Sequence, residues 1–251
     1  MINVFDSAKI LCQSAMEIFI GLAKKNIAQK GSFAVALSGG STPNLMYDLL
    51  AQKENAKRIN WEKLFIFWGD ERYISYNSKD NNAFQAKSHL LDLVPIPQNN
   101  IFRIPVSGDY RNDALHYEEG IKKFFNANLP HFDLIFLGLG EEGHTASIFP
   151  GSELLQENDA LVKDVYVTTK KMQRISFTPM LINAAKEIVF MVAGKSKSAA
   201  VKEVLEGKFQ PEIFPAQIIK PVEGSITWLL DKDAASQLSQ QKKHKKNASI
   251  I

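Results

Sequence analysis

Short apolar runs of strand length alternate with helical patterns along this chain, and this alternation constrains the fold more than any other feature. The strand-like runs cover residues 33–37, 64–68, 133–139, 188–192 and 226–230, with helical patterns between most of them. Strands that alternate with helices form a parallel sheet, because each crossover helix packs back onto a face of that sheet. The sequence therefore predicts an α/β fold with a mainly parallel sheet that helices cover on both faces.

The turn signals and connections along the chain favour one domain. Residues 6–30 carry apolar side chains at helical spacing, and Gly31 follows at the position of a C-cap glycine. Two proline-containing connections, 93–100 and 210–215, are short and lie between apolar segments. No segment recurs at a fixed period, which argues against a solenoid or a propeller. We therefore predict a single domain over residues 1–241, followed by a basic tail at residues 242–251.

Composition argues against several classes of protein. Hydrophobic residues make up 45% and charged residues 23% of the 251 residues, which is the balance of a water-soluble globular protein. The net charge of +3 owes much to the lysines of segment 242–246, and without them the chain is close to neutral. We therefore interpret this segment as a solvated tail and expect no nucleic-acid partner.

The sequence gives no sign of a membrane segment or of export. The apolar runs at residues 133–140 and 188–193 are too short to cross a bilayer, and the N-terminus lacks a basic segment followed by a long apolar core. Cys12 is the only cysteine, so neither a disulfide nor a cysteine metal cluster can form within the chain. We expect a cytoplasmic protein without a membrane partner, in which Cys12 packs inside a helical interface.

A glycine and hydroxyl turn joins the first predicted strand to the next helix. Its glycines permit close backbone approach, while its hydroxyls and the amides of the helix point hydrogen-bond donors at one small volume. This pattern predicts an anion site, with a tight turn that binds no ligand as the alternative. The spacing Gly-x-x-x-x-Gly-Lys of a nucleotide-binding P-loop is absent. The turn consists of Ser38, Gly39, Gly40, Ser41, Thr42 and Pro43.

A second glycine turn follows the third predicted strand and delivers a histidine. Residues 138–143 match Gly-x-Gly-x-x-Gly, but the match lies in the middle of the chain rather than in an opening βαβ unit, so we interpret it as a coincidence. His144 comes directly after the last glycine, and Glu141 and Glu142 precede it. A histidine can accept a proton near neutral pH, and a carboxylate can orient it. We predict a general base, with a locally satisfied histidine as the alternative.

Charged residues follow other strand-like runs. Asp70 and Arg72 come after the second run, where Asp70 could orient a base or a hydroxyl and Arg72 could hold an oxyanion or a phosphate. The alternative for this pair is a local ion pair. Later cations could complete an anion site, with solvated surface side chains as their alternative. These cations are Lys170, Lys171, Arg174 and Lys195.

The sequence lacks the patterns of the common metal and nucleotide sites. It contains no cysteine cluster, no His-x-x-x-His pair and no P-loop. We therefore expect neither a metal ion nor a nucleotide cofactor. Nothing in the residues indicates an oligomeric state.

Taken together, these motifs resemble the 6-phosphogluconolactonase family over nearly the whole chain, except for the basic tail. The resemblance implies a Rossmann-like fold, similar to that of glucosamine-6-phosphate deaminase. It also implies hydrolysis of 6-phospho-D-glucono-1,5-lactone to 6-phosphogluconate in the oxidative pentose phosphate pathway, without a cofactor. The motifs are Leu37-Ser-Gly-Gly-Ser-Thr-Pro43, Gly69-Asp-Glu-Arg72, Asp80-Asn-Asn82, Gly138-Leu-Gly-Glu-Glu-Gly-His-Thr-Ala-Ser-Ile-Phe-Pro-Gly151, Arg174-Ile-Ser176 and Pro221-Val-Glu-Gly-Ser-Ile-Thr-Trp228.

The resemblance also implies roles for single residues. By this analogy His144 is the base that activates water, and Arg72 steadies the substrate or its oxyanion. The turn at residues 38–42, Arg174 and Lys195 would hold the phosphate of the sugar lactone.

The chain departs from the family pattern at two places. The family commonly has Asp-Gly-His where this chain has Glu142-Gly-His144, and Asp-Ser-Asn where it has Asp80-Asn-Asn82. Neither departure removes the candidate base. The longer side chain of Glu142 argues against any mechanism that needs a carboxylate at one fixed distance from the reacting carbon.

Two other functions fit part of this pattern. A sugar-phosphate isomerase or deaminase of the related fold would also use an anion turn and an acid/base pair. Such deaminases carry Asp-Glu-Tyr and continue Gly-His with Ile-Ala-Phe-Asn-Glu, whereas this chain has Asp-Glu-Arg72 and Gly-His144-Thr-Ala-Ser. A non-catalytic sugar-phosphate-binding protein would keep the anion turn but would not need the base at His144.

Overall fold

The computed structural model describes residues 1–239, so the predicted boundary at residue 241 and the basic tail at residues 242–251 lie outside the described residues. The described part contains nine strands and seven α-helices. The strands are β1 (Ile2–Phe5), β2 (Phe33–Leu37), β3 (Leu64–Trp68), β4 (Asp70–Arg72), β5 (Leu134–Leu137), β6 (Val162–Val167), β7 (Met172–Phe177), β8 (Glu187–Val192) and β9 (Ser225–Asp231). The helices are α1 (Ala8–Lys30), α2 (Ser41–Ala51), α3 (Lys53–Ala56), α4 (Asn82–Ala86), α5 (Tyr110–Phe125), α6 (Pro179–Asn183) and α7 (Ser198–Glu206).

Six strands form one parallel sheet in the order β1-β9-β8-β5-β2-β3. This sheet confirms the predicted α/β fold, and all five strand-like runs of the sequence lie in it. β5 is shorter than predicted because the chain already turns at Gly138, whose carbonyl oxygen accepts a hydrogen bond of 2.9 Å from Thr145 Oγ1. β2 and β5 are buried along their whole length, as expected for the centre of a sheet covered on both faces.

α1 begins and ends where the sequence indicates. The Ser7 side chain accepts a hydrogen bond from Ile10 N, and Gly31 adopts the left-handed conformation while its N–H bonds to Ile27 O at 2.9 Å. Cys12 is fully buried on the inner face of this helix, as predicted, and burial raises the pKa of its thiol to about 11. Among residues 1–239, no helix has both the length and the apolar composition that a membrane span requires.

A second, three-stranded antiparallel sheet has the order β4-β7-β6, and the sequence did not predict it. β4 is only three residues long and consists of Asp, Glu and Arg, which are poor strand formers in isolation. Its partner β7 lies about a hundred residues further along the chain, so no local pattern shows the pairing. In the register of this pair, Asp70 faces Ser176, and Arg72 faces Arg174.

The order of the parallel strands places a crevice between β2 and β5. The chain passes from β2 to β3 on one side of this point and from β5 to β8 on the other. In open α/β sheets, ligands bind at such a reversal, outside the carboxyl ends of the strands. The two glycine turns of the sequence, after β2 and after β5, both begin at this crevice.

Candidate active site

A cavity of about 320 Å³ lies at this crevice. The turns after β2 and β5 form part of its wall, the antiparallel sheet supplies charged side chains, and a short turn after β8 contributes a lysine. Such a cavity, with several polar groups converging on it, is the usual setting of a small-molecule site. It is lined by Ser38, Gly39, Asp70, Arg72, Asn82, Gly138, Leu139, Gly140, His144, Ala146, Phe149, Lys170, Arg174 and Lys197.

Most of the predicted site residues come together in this cavity. The seven that line it are Ser38, Gly39, Asp70, Arg72, His144, Lys170 and Arg174. Five predicted residues lie outside its lining, namely Gly40, Ser41, Thr42, Lys171 and Lys195.

The residues outside the lining have other surroundings. Gly40 N donates to Gln85 Oε1 at 3.2 Å, and Thr42 O accepts a contact from Cys12 Sγ at 3.3 Å. Lys195 is exposed and begins the short turn Lys195–Lys197, and it is Lys197, two residues later, that reaches the cavity.

His144 is held over the turn that precedes it. Gly140 N donates to His144 O at 2.8 Å, and a Cβ built on Gly140 would overlap the imidazole ring. The ring stacks on Phe149 with a centroid distance of 3.9 Å and an interplanar angle of 18°. Glycine at position 140 is therefore required by the close approach of the imidazole, and stacking on Phe149 fixes the plane of the ring.

The environment of His144 keeps its imidazole neutral. Burial lowers the pKa of His144 to about 4, although the charges of Glu142 and Asp70 act in the opposite direction. Glu142 Oε2 lies 3.3 Å from His144 Nδ1, and Glu142 Oε1 lies 3.6 Å from Lys170 Nζ. Burial opposes the ionisation of Glu142, but hydrogen bonding from its own backbone amide and the charges of His144 and Lys170 outweigh burial and lower its pKa. At neutral pH the cavity thus contains a neutral imidazole beside a carboxylate, which is the arrangement of a general base.

Asp70, Ser147 and Arg174 form a buried charge cluster. Ser147 Oγ donates to Asp70 Oδ2 at 2.7 Å, and Arg174 Nη1 lies 3.4 Å from Ser147 Oγ and 3.7 Å from Asp70 Oδ2. Only 8% of Arg174 is exposed, and burial, partly offset by Asp70, lowers the pKa of its guanidinium. Sequence analysis did not single out Ser147 as part of this cluster, because its partner Asp70 lies 77 residues away in the chain.

Arg72 and Arg174 are direct neighbours across the antiparallel pair β4-β7. Like charges at opposed positions destabilise a sheet unless an anion lies close to both. Arg72 Nη1 donates to Asp80 O at 2.6 Å, whereas Arg72 Nε and Arg174 Nε are buried without a hydrogen-bond partner among residues 1–239. Two guanidiniums that line the same cavity side by side favour an anionic ligand with several oxygens, such as a phosphate.

Glu71 holds this side of the cavity together. Its carboxylate accepts hydrogen bonds from Arg72 N, Asn82 N and Ala83 N at 2.9, 2.7 and 2.9 Å, and so it ties β4 to the first turn of α4. Burial raises the pKa of Glu71 to about 7 despite these amide donors. Glu71 does not itself line the cavity, but it places two residues that do.

Sequence analysis missed three further residues of the cavity wall, namely Asn82, Phe149 and Lys197. Asn82 and Phe149 both lie within the motifs that carry the family resemblance. The sequence could therefore have indicated that they lie near the site, but it gave them no chemical role. Lys197 lies on the same turn as the predicted Lys195, and only the conformation of that turn decides which lysine faces the cavity. Among residues 1–239, no group of three or more His, Cys, Asp or Glu side chains is arranged to hold a metal ion.

The chain is similar to known proteins over almost its whole length. A family model described as glucosamine-6-phosphate isomerases/6-phosphogluconolactonase matches residues 6–228. A 6-phosphogluconolactonase from Synechocystis sp. is 40% identical over 242 residues, which covers 94% of this chain and 98% of that protein.

Solved structures have the same architecture. A 6-phosphogluconolactonase from Trypanosoma cruzi matches with a TM-score of 0.84 at 26% identity, covering 95% of this chain and 96% of that one. A monomeric glucosamine-6-phosphate deaminase of the NagB superfamily matches with a TM-score of 0.79 at 21% identity, covering 94% of this chain and 98% of that chain. The second likeness concerns the fold alone, and it agrees with the predicted relation to the deaminase fold.

Proposed function

This chain belongs to the glucosamine-6-phosphate isomerase/6-phosphogluconolactonase family, and from that premise we propose that it hydrolyses 6-phospho-D-glucono-1,5-lactone to 6-phosphogluconate. The relatives indicate an enzyme that hydrolyses a lactone. The observation that carries the proposal is that one cavity holds both a neutral imidazole, His144, and the two opposed guanidiniums of Arg72 and Arg174. The reaction is the second step of the oxidative pentose phosphate pathway, which we place in the cytoplasm.

In the proposed mechanism His144 acts as the general base. It takes a proton from a water molecule while the water oxygen forms a bond to the lactone carbonyl carbon, and the carbonyl electron pair moves onto its oxygen. When this intermediate collapses, the bond from the carbonyl carbon to the ring oxygen breaks, and the proton passes from His144 to the ring oxygen. Glu142 and Asp70 both raise the pKa of His144 by their charge, so they stabilise the imidazolium that exists between these two steps.

Positive charge near the reacting carbonyl and the phosphate comes from several elements. We assign Arg72 to the substrate oxyanion, and Arg174 with the turn at Ser38 and Gly39 to the phosphate. We also assign Lys197 to the phosphate, because it lines the cavity. It would take the role that the resemblance implied for Lys195. An anion that contacts these residues would also relieve the repulsion between the two arginines.

A direct assay of lactone hydrolysis tests the proposal. The lactone is generated in place and its disappearance is followed with and without the protein, so that the spontaneous reaction is subtracted. We expect a rate well above the spontaneous one that scales with protein concentration, and a much slower reaction with unphosphorylated glucono-1,5-lactone. A rate equal to the spontaneous one at all protein concentrations would reject the function.

The extent of the functional unit is also part of the proposal. We propose that residues 1–241 form one functional domain and that the basic segment 242–251 takes no part in catalysis. The support is that every residue assigned here to the cavity lies between residues 38 and 197.

A further inference from the structure

The side chain of Asn82 contains a buried oxygen that has no donor within the described protein. Only 2% of Asn82 is exposed, and it lies at the wall of the cavity. Its Nδ2 donates to Asp70 O at 2.9 Å, whereas its Oδ1 has no hydrogen-bond partner among residues 1–239. Buried acceptors in folded proteins almost always have a donor, so the partner of this oxygen is expected to come from a ligand.

The orientation of the Asn82 amide is fixed by its surroundings. Asp70 O is a carbonyl oxygen and can only accept, so the amide nitrogen must face it and the amide oxygen must face the other way. On that other side lies Gly39, where an added Cβ would overlap Asn82 Oδ1. Gly39 therefore packs directly against this oxygen at the cavity wall, and only a glycine at this position leaves the oxygen room beside the turn after β2.

The backbone of Asn82 is held as firmly as its side chain. Asn82 N donates to Glu71 Oε1 at 2.7 Å, and the Asn81 side chain caps α4 by accepting from Phe84 N at 2.9 Å. Glu71 and Asn81 thus fix the first turn of the helix on which Asn82 lies. The result is a preorganised hydrogen-bond acceptor in a cavity whose other side chains are mainly donors.

An acceptor in this position selects for a particular chemical group. A lactone carbonyl and the unprotonated oxygens of a phosphate are acceptors themselves, so none of them can pair with Asn82 Oδ1. The complementary group is an O–H donor, and the proposed substrate carries several on its ring. We propose that Asn82 Oδ1 accepts a hydrogen bond from a ring hydroxyl of the sugar lactone and so selects for the hydroxylated sugar. This inference rests on the proposed function of the cavity.

An attacking water molecule is the other source of an O–H donor, and deoxy substrates distinguish the two. The test measures kcat/KM for the parent lactone and for its 2-deoxy, 3-deoxy and 4-deoxy forms. The wild-type protein should discriminate against one of these forms by about tenfold, because that form leaves Asn82 Oδ1 without a donor. In Asn82→Ala the discrimination against the same form should fall to about one. A merely structural defect, such as loss of the bond to Asp70 O, lowers the rate for all substrates alike and cancels in the ratio.

Ser88→Ala is the control. It removes an exposed hydroxyl that donates to Phe84 O at 3.0 Å, beyond the first turn of α4, and Ser88 does not line the cavity, so this variant should leave the discrimination unchanged. An Asn82→Ala variant that keeps the wild-type discrimination would overturn the inference. If Asn82→Ala does not fold, the wild-type protein alone decides, since equal kcat/KM for all four lactones would also overturn it. A wild-type protein that fails to hydrolyse even the parent lactone would instead reject the proposed function.

Discussion

The two sheets contribute to the same cavity in different ways. The parallel sheet contributes turns that follow its strands, with Gly39 after β2 and His144 after β5. The antiparallel sheet contributes side chains from within its strands, namely Asp70, Arg72 and Arg174. The position of a turn residue depends on how closely backbone segments approach each other. The position of a strand residue depends on its register with a partner strand that is distant in the sequence. The position of the proposed proton-transfer group therefore depends on local geometry, and the positions of the charged groups depend on long-range strand pairing.

The two sets of groups also respond differently to burial. Burial lowers the pKa of His144 to about 4 and so keeps the imidazole of this proposed base neutral. In the antiparallel sheet, burial lowers the pKa of Arg174 as well, but Asp70 offsets part of that effect. The neutral imidazole thus lies beside a charge cluster in which Asp70 partly offsets the effect of burial on Arg174. Each experiment below separates the contribution of one sheet from that of the other.

Removal of the base should have the largest effect. General-base catalysis typically contributes about 10²–10⁴-fold, so His144→Ala should lower kcat by that factor. The melting temperature should change little, because the ring lies at the cavity wall and its aromatic contact within residues 1–239 is the stack on Phe149. Steady-state kinetics with the phosphorylated lactone and a thermal melt measure the two quantities. A near-normal kcat would reject His144 as the base.

Displacement of the base without its removal tests whether local geometry matters as much as chemical identity. In Gly140→Ala the new Cβ would overlap the imidazole, and a base misplaced by about 1 Å costs on the order of 10²-fold in rate. Gly69→Ala is the control, because its added Cβ would have no neighbour nearer than 3.9 Å. We expect kcat to fall in the first variant and to stay near normal in the second. Equal kcat in both variants would show that the position of the ring is not restricted by Gly140.

Sequence reasoning succeeded and failed along the same division between the sheets. A buried apolar run that ends in a glycine turn is a local pattern, and it located β2, β5 and the two glycine turns that reach the cavity. The sequence also showed that Asp70 and Arg72 are charged candidates for the site. It did not predict that they lie in a strand, because the pairing of β4 with β7 involves residues a hundred positions apart. Ser147 and Asn82 were missed for the same reason, since their roles follow from contacts with Asp70 that no spacing reveals.

Loss of a guanidinium should affect phosphate recognition rather than proton transfer. In Arg174→Ala we expect the preference for phosphorylated over unphosphorylated lactone to fall by about 1.5–3 kcal/mol, the range for a hydrogen bond to a charged group. The variant should also be less stable, because Asp70 then remains buried with only Ser147 as a partner. The ratio of kcat/KM for the two lactones separates recognition from stability. An unchanged ratio would place the phosphate away from the antiparallel sheet.

The two lysines after β8 test whether the parallel sheet also contributes charge. Lys197 lines the cavity and Lys195 is exposed outside its lining, so the structure favours Lys197 over the lysine that the sequence predicted. Lys197→Ala should reduce the preference for the phosphorylated lactone by on the order of tenfold, since salt and solvent weaken the contribution of a partly exposed cation. Lys195→Ala is its matched control and should change the ratio little. A reduced preference in Lys195→Ala together with an unchanged preference in Lys197→Ala would assign the phosphate contact to Lys195 instead.

The smallest expected effect concerns the carboxylate beside the base. In the proposed mechanism neutral His144 is the active form, so activity should be lost as the pH falls through its pKa, at about pH 4 rather than at the ordinary value of 6.5. The charge of Glu142 raises that pKa, and Glu142→Gln should therefore move the acid limb of kcat/KM to still lower pH. At neutral pH the same change should lower kcat by about fivefold at most, because a partly exposed ion pair contributes no more than about 1 kcal/mol to the imidazolium. The phosphate of the substrate also titrates, near pH 6, but it is common to both proteins and cancels when their profiles are compared. Glu141→Gln removes an exposed carboxylate one residue earlier and should leave the profile in place. A shift of the acid limb to higher pH in Glu142→Gln, or the same shift in both variants, would mean that Glu142 does not act on His144 by its charge.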